Sequence, residues 1–443
     1  MNRLFVTQPY LLSLHPDSEM HVCWIQRQPL AGAVEYGSSQ QLGAVTEARC
    51  YALKGLRIPA SAAGYTPILQ ENPEIALWQC IAKITGLQPG QKVFYRCRAG
   101  EAETPVYHFH TAPSAGSPFH FAQLSDLQAT APCDKIVHRI GCHKPSFILY
   151  AGDACIHSWR ADQWFDLQEN WQSEESRKLA FFPCLQQEDG AQLLQYCPLF
   201  ICPGNHEMDD MRVGTDRQFT QGDEHWSWSI FMQLFRPLYP DTNWGLQGKR
   251  WYSADYGDMH IVSLSIQRWA IWGAYEAPGW RLVDSIAPDS PQFHWLQQDL
   301  ANSSAKYKWV IQHWHLLNRG TDVQPPLCQP ICTLDGTVFY PDDHTALLMD
   351  TYEKHGVNAV SYGHSHVYER YFVNGVHYIE AAHFTICYRD TQDPPHPSGF
   401  LPVKEDNSRH SFLMVFRDST GLHGNGCWAD TGEIFDSYAI ANG

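Results

Sequence analysis

The sequence predicts two domains in series: an all-β sandwich, then a layered α/β domain. Three observations carry this reading. Residues 1–110 hold short stretches of alternating apolar and polar residues separated by Pro/Gly turns. Beyond residue 118 the pattern changes to compact apolar runs with helix-like segments between them. Between the two lies FHTAPSAGSP, residues 109–118, small and rich in Pro and Gly, which reads as a linker. The domains are therefore expected at 1–113 and 114–443, a division that the length of 443 residues accommodates.

Within the first domain, Met20, Val22 and Trp24 alternate with polar neighbours in MHVCWIQ, the period of a half-buried strand. LWQCIAKITGL runs into the turn Gln88-Pro89-Gly90 and then KVFYRCRAG, giving a small sandwich of turn-linked strands. ITGLQPGQKVFYRCRAG resembles the corner of a fibronectin type III domain, with Val93 where that family usually has its corner tyrosine. In the second domain the apolar runs are FHFAQLSD, SFILYAGD, CPLFICPGNH, KWVIQHWH and VNAVSYGH. DQWFDLQENWQSEESRKLAFF and HTALLMDTYEKHG carry helical signals between them. Each apolar run ends in polar residues, placing them at strand exits, where open α/β sheets gather their ligand sites.

Composition narrows the function classes. Hydrophobic residues make up 44% and charged residues 18%, the balance of a folded protein. Lys and Arg total 31 against 47 Asp and Glu, a formal charge of −16, so no nucleic-acid backbone partner is expected. Small phosphates stay admissible, because bound cations reverse the local sign. No window approaches the roughly 18 apolar residues of a membrane span, so no membrane partner is expected either. The start, MNRLFVTQPYLLSLHPDSEM, lacks a long apolar core and a small-residue cleavage site, and the 14 cysteines are scattered without a CxxC pair. Reduced, buried thiols and a cytoplasmic location are the expectation, with Cys328 and Cys332 as the local pair considered for redox or metal chemistry and disfavoured.

The chemistry sits in short segments that recur in order. These are Asp126 in LSDLQ, Asp153 in AGDACIH, Asn205 and His206 in PGNHE, His313 in VIQHWH, and His364 and His366 in YGHSHVYER. Carboxylates, imidazoles and an amide oxygen suit borderline divalent cations. A bridging carboxylate can hold two ions about 3.5–4 Å apart, so that one activates water while both clamp a phosphoryl group. Gly152, Gly204 and Gly363 precede three of these residues, and glycine lets the backbone turn sharply off a strand. Singly each signal is weak, since a strand-end histidine is most often structural. Together and in this order they are strong.

The order D…GD…GNHE…H…GHxHxYER resembles the calcineurin-like metallophosphoesterases, and GHSHVYER is similar to purple acid phosphatases. The fibronectin-like domain ahead of the catalytic domain is also similar to the plant and bacterial members of that group. The resemblance implies a β-sandwich flanked by helices with a dinuclear site at one edge. It implies that Asp126 binds the first metal, Asp153 bridges both, Asn205, His313 and His364 hold the second, and His366 completes the first. His206 would lie near the leaving-group oxygen as proton donor or phosphate clamp. Two departures matter. Ile156 stands where purple acid phosphatases carry the tyrosinate that ligates ferric iron, so a colourless protein is expected. Gln128 stands where broader members have the histidine of D-x-H, either ligating weakly or hydrogen-bonding a metal-bound water, the second being favoured. Two divalent ions, manganese, zinc or ferrous iron, are expected rather than a fixed ferric ion.

Other residues have open readings. His315 points to the same face as His313 if the segment stays extended, entering the cleft as an acid or phosphate contact, or else it packs at the strand end. His157 is a weaker candidate for the site, and Glu207 either orients His206 or faces solvent. Tyr368, Glu369 and Arg370 read as a packing and salt-bridge anchor for the GHxH loop, and His260 as structural. The Trp-rich insertion 225–251, with Trp226, Trp228, Trp244 and Trp251, reads as packed scaffold before leaving-group pocket, and Lys249 or Arg250 as a contact to a distal phosphate. The expected function is a dinuclear-metal phosphoesterase hydrolysing small phosphate monoesters by attack of metal-activated hydroxide. The alternatives are a phosphodiesterase or nucleotide pyrophosphatase on the same core, and a non-catalytic binding protein with a relic metal site. Oligomeric state is left open.

Overall fold

A computed structural model of the chain describes residues 4–58, 74–128, 133–167, 180–186, 192–207, 226–240, 249–266, 268–269, 281–282, 284, 286–317, 331–332, 338–339, 341–381 and 400–441. The first domain contains β1 (Tyr10–Leu12), β2 (Glu19–Gln26), β3 (Gly32–Gly37), β4 (Ala44–Ala52), β5 (Trp78–Thr85), β6 (Lys92–Ala99), β7 (Ala102–Glu103) and β8 (Tyr107–His110). They pair antiparallel in the order β1-β2-β5-β4-β3-β6-β7, with β8 on β6. Strands β2 and β6 stand apart in that order, yet Val22 and Trp24 share one apolar core with Val93, Tyr95 and Phe109. The array therefore folds over into a two-layered sandwich.

The alternation expected in β2 holds only on its first half. Cys23 and Ile25, on the face opposite Val22 and Trp24, are also buried, because that face packs against the second domain. Tyr10, Leu12, Cys23 and Ile25 belong to the same core as Phe181, Phe182, Ile230 and Phe235. Tyr10 Oη and Gln79 Nε2 both donate to Leu234 O, at 2.8 and 2.7 Å. The segment after β8 is laced rather than loose: Ala112 N donates to Pro16 O at 2.8 Å. One cysteine expectation fails here. Cys50 and Cys80 face each other across β4 and β5 and form a disulfide, because directly opposed strand positions bring two Cβ atoms close enough to bridge. Cys328 lies outside the described residues.

The second domain is built on two mixed sheets. The first runs β11-β10-β9-β23-β24-β25, from β9 (Phe119–Leu124), β10 (Phe147–Tyr150), β11 (Leu199–Ile201), β23 (Ser411–Asp418), β24 (Gly421–Trp428) and β25 (Ile434–Ala441). The second runs β12-β13-β16-β19-β21-β20-β22, from β12 (Tyr252–Tyr256), β13 (Met259–Ser263), β16 (Tyr307–Ile311), β19 (Ala359–Tyr362), β20 (Glu369–Val373), β21 (Val376–Glu380) and β22 (Lys404–Glu405). Two-residue ribbons pair β14 (Arg268–Trp269) with β15 (Arg281–Leu282) and β17 (Ile331–Cys332) with β18 (Val338–Phe339). The main sheets meet face to face, with the Phe121 and Trp309 rings edge-on at 5.1 Å. A buried polar thread crosses the same interface, Trp309 Nε1 donating to Ser361 Oγ and Ser361 Oγ to Gln123 Oε1, both at 2.6 Å.

Helices cover the outer faces. Leu296 and Leu300 of the helix Pro291–Asn302, with Leu348 and Tyr352 of Pro341–Lys354, pack on Val262, Val310 and Val360. The helical signal in HTALLMDTYEKHG, residues 344–356, matches the helix Pro341–Lys354 up to its last two residues. Of DQWFDLQENWQSEESRKLAFF, only the ends are described, in the short helices Ala161–Trp164 and Phe181–Leu185. No described helix is long and apolar enough to cross a membrane.

Candidate metal centre

The carboxyl ends of the parallel strands β9, β10 and β11 in one sheet, and of β16 and β19 in the other, each lead within four residues to a polar side chain of the site: Asp126, Asp153, Asn205, His313 and His364. The chain reverses at once after several of these strands. Asp126, Gln128, Asp153, His364 and His366 have φ of +53°, +46°, +58°, +83° and +59°. Left-handed backbone costs a non-glycine residue about 1 kcal/mol or more, so a run of such residues marks a site held by its surroundings. Gly152 is used as the sequence suggested, at φ +86°. Gly204 and Gly363 are not in that region and serve close approach instead. A Cβ at Gly204 would run into the Asp153 backbone and carboxylate, and one at Gly363 would meet the Asp126 carboxylate and Ser125 Cβ.

One cluster gathers around Asp153. Ligating atoms of Asp153, His313 and His364 all lie within 4.8 Å of one another. Asn205 Oδ1 joins them, 2.9 Å from His313 Nε2 and 2.8 Å from His364 Nδ1. His313 Nδ1 donates to Ala151 O at 2.7 Å, so the Nε2 lone pair of the neutral ring faces inward. That nitrogen also lies 3.2 Å from Asp153 Oδ2. Carboxylate, amide oxygen and imidazole lone pairs thus converge on one point, a donor set that fits a divalent cation. In the side chains alone, burial works against a proton on His313, but the Asp153 charge and its hydrogen bond raise its pKa to about 10. Burial works against ionised Asp153 in turn, yet His313 and His206 hold it well below the usual carboxylate range.

Asp126 and His366 form a second pair, linked to Asp153 through Gln128. His366 Nε2 is 3.4 Å from Asp126 Oδ1, and both Asp126 oxygens accept from His364 N at 3.1 Å. Gln128 turns its amide nitrogen to Asp153 Oδ2 and to His366 Nε2, each at 3.2 Å, and so donates to the cluster. His206 presents Nε2 to the centre, 3.8 Å from Asp153 Oδ2, because Nδ1 donates to Ile156 O at 3.0 Å. Position 156 thus contributes through its carbonyl.

The outer residues sort as follows. His315 reaches the site by a bend rather than an extended strand, since β16 ends at Ile311. It lies 3.1 Å from Ser365 Oγ, with its ring 5.6 Å from that of His364. Trp314, which sequence reasoning passed over, stacks on His315 and lies 4.0 Å from the His364 ring; its place between two histidines in HWH was the only signal. His157 packs on Trp159, and Gln163 Oε1 accepts its N–H. Glu207 follows neither reading. Fully buried, it accepts the N–H groups of Asp153, Ala154 and Gly204 at 3.0, 2.8 and 2.6 Å. Burial and the neighbouring Asp153 charge push its pKa up, while the N–H groups it accepts from Gly204 and Asp153 favour the carboxylate.

Arg250 is no phosphate contact. It is buried in a two-pronged pair with Asp284 at 2.8 and 2.6 Å, while Lys249 lies over the Trp295 ring. Tyr368 and Arg370 both bind Asp436 of β25, and Glu369 accepts from Tyr371 Oη at 2.9 Å, so this segment anchors the GHxH loop as expected. His260 is structural, held by Asp255 and Asp299 at 2.7 and 2.9 Å. Of the Trp-rich insertion, Trp251 packs near Trp295; Trp244 and the side chains of Trp226 and Trp228 lie outside the described residues.

Residues 119–368 match the family described as calcineurin-like phosphoesterase, and residues 6–111 match the purple acid phosphatase N-terminal domain. Acid phosphatase type 7 of Mus musculus is 26% identical over 377 residues, which is 82% of this chain and 70% of that protein. The purple acid phosphatase PPD1 isolated from yellow lupin (Lupinus luteus) seeds is similar in structure, with a TM-score of 0.67 at 16% identity over 98% of this chain and 74% of that one. PhoD is similar with a TM-score of 0.61 at 12% identity, over 98% of this chain and 88% of that one. At these identities the two structures show a common fold.

Proposed function

The chain belongs to the calcineurin-like phosphoesterase family, and on that premise we propose that it hydrolyses small phosphate monoesters at a centre for two divalent cations. The observation that carries this is the convergence of Asp153, Asn205, His313 and His364 on one point, with the Asp126–His366 pair linked to Asp153 through Gln128. In this reading Asp153, Asn205, His313 and His364 would hold one ion, and Asp126, Asp153 and His366 the other. Manganese, zinc or ferrous iron suits such donors. The cations, when bound, would polarise the phosphoryl oxygens and lower the pKa of water toward neutrality.

The rest is the work of the chain. Ala151 O and Ile156 O each take the outward N–H of a histidine, so His313 and His206 keep Nε2 for the site. Gln128 steadies the shared carboxylate by donating to Asp153 Oδ2. His206 would act through Nε2 as proton donor to the leaving oxygen or as phosphate clamp. His315, whose ring lies 5.6 Å from that of His364, would serve as a phosphate contact in this reading. The name of the mouse relative, an acid phosphatase, supports monoesters over diesters. With Ile156 at the tyrosine position, no tyrosinate–iron charge transfer is expected.

Metal-stripped protein reconstituted with manganese, zinc or iron tests this on chromogenic monoester and diester substrates. The expected result is a colourless protein whose monoester turnover returns with a divalent ion and exceeds diester turnover. A purple protein would overturn the assignment of position 156, and two bound ions without turnover on either substrate would overturn the phosphoesterase reading.

A further inference from the structure

We propose that Glu207 is a positioning residue whose carboxylate sets the separation of the Asp153 and Asn205 loops and thereby the metal affinity of the centre. The inference rests on the metal-centre reading above. Glu207 lies two residues beyond Asn205 and reaches back under its own loop. Its Oε2 accepts from Gly204 N at 2.6 Å and from Asp153 N at 3.0 Å, and its Oε1 from Ala154 N at 2.8 Å. Asp153 returns the exchange, Oδ1 accepting from His206 N at 2.9 Å. The two loops are thus stitched in both directions, with Glu207 wholly inside the protein.

Only a carboxylate of this length satisfies the arrangement. Three N–H donors need two acceptor oxygens, and glutamine would aim its own NH2 at one of them. Aspartate keeps the charge but falls one methylene short. The stitch also helps hold Asp153 in left-handed backbone at φ +58°, since its N–H and its Oδ1 are both fixed by the Asn205 loop, to Glu207 and to His206 N. Gly204 permits the contact, because a Cβ there would collide with Asp153.

The test compares metal-stripped wild type, Glu207→Gln and Glu207→Asp by titration with manganese, with bound metal counted after gel filtration and turnover read on a phosphomonoester. Wild type is expected to bind two ions. Groups that orient ligands typically change metal affinity about 10- to 100-fold, and Glu207→Gln is expected to weaken binding by that factor. At limiting metal its kcat falls with KM little changed, and excess manganese restores turnover, a rescue that a merely misfolded variant would not show. Should Glu207→Gln not fold, Glu207→Asp serves the same comparison. Wild-type affinity in either folded variant would overturn the inference alone. Failure of the wild type to take up any ion would overturn the metal-centre reading and this inference with it.

Discussion

Asp153 meets constraints from every side: its N–H is held by Glu207, Oδ1 accepts from His206 N, and Oδ2 faces His313 Nε2 at 3.2 Å. The His206 side chain, by contrast, faces the centre through Nε2 alone. Asp153→Ala is therefore expected to abolish turnover and stoichiometric metal together. His206→Ala is expected to keep its metal and lose about 10²–10⁴ in kcat, the usual contribution of a positioned acid. Turnover at saturating metal, with metal counted in each variant, checks both; near-normal kcat in metal-replete Asp153→Ala would refute the assignment. At this scale, ligand types were legible because carboxylate and imidazole chemistry is carried by residue identity. The role of Glu207 was not, because its partners are backbone N–H groups, which every residue has.

Among the elements, the anchor joining β20 to β25 ties the two sheets near the GHxH loop. Arg370 binds Asp436 at 2.7 and 2.8 Å with both side chains about nine-tenths buried, and Tyr368 Oη adds a third contact at 2.8 Å. Removing one partner leaves the other charged and buried, so Arg370→Ala is expected to destabilise by about 3–5 kcal/mol, read from urea unfolding. A loss under about 1 kcal/mol, the range of exposed pairs, would show that this pair does not hold the sheets. The YER signal was legible as an anchor, but its partner was not, since Asp436 lies far along the chain on the other sheet. Strand β2 teaches the same limit: its alternation predicted one dry face, and packing of the second domain made the other face dry as well.

For the whole molecule, the titration of His260 couples stability to pH. His260 joins the β12–β13 hairpin to the helix Pro291–Asn302 through Asp255 and Asp299. Burial lowers its pKa, but the two hydrogen-bonded carboxylates raise it further, to about 9. A folded pKa above the unfolded value of about 6.5 means the contribution is complete below that pH and fades as pH rises through 9. Stability measured by urea unfolding is expected to fall between pH 6.5 and 9, and His260→Gln to flatten that slope; an unchanged slope would refute the assignment. The sequence by itself determined the order of sheet-forming segments, the strand-exit positions of Asp126, Asp153, Asn205, His313 and His364, and the residue types that fit divalent cations. It could do so because strand periodicity and ligand chemistry are local properties of the chain. Only the tertiary structure decided that Gly204 and Gly363 serve close approach, that Glu207 stitches two loops, that Cys50 meets Cys80, and that both domains share one core. Each of these is a distance between residues remote in sequence or a partner on the backbone, and neither is written in side-chain identity.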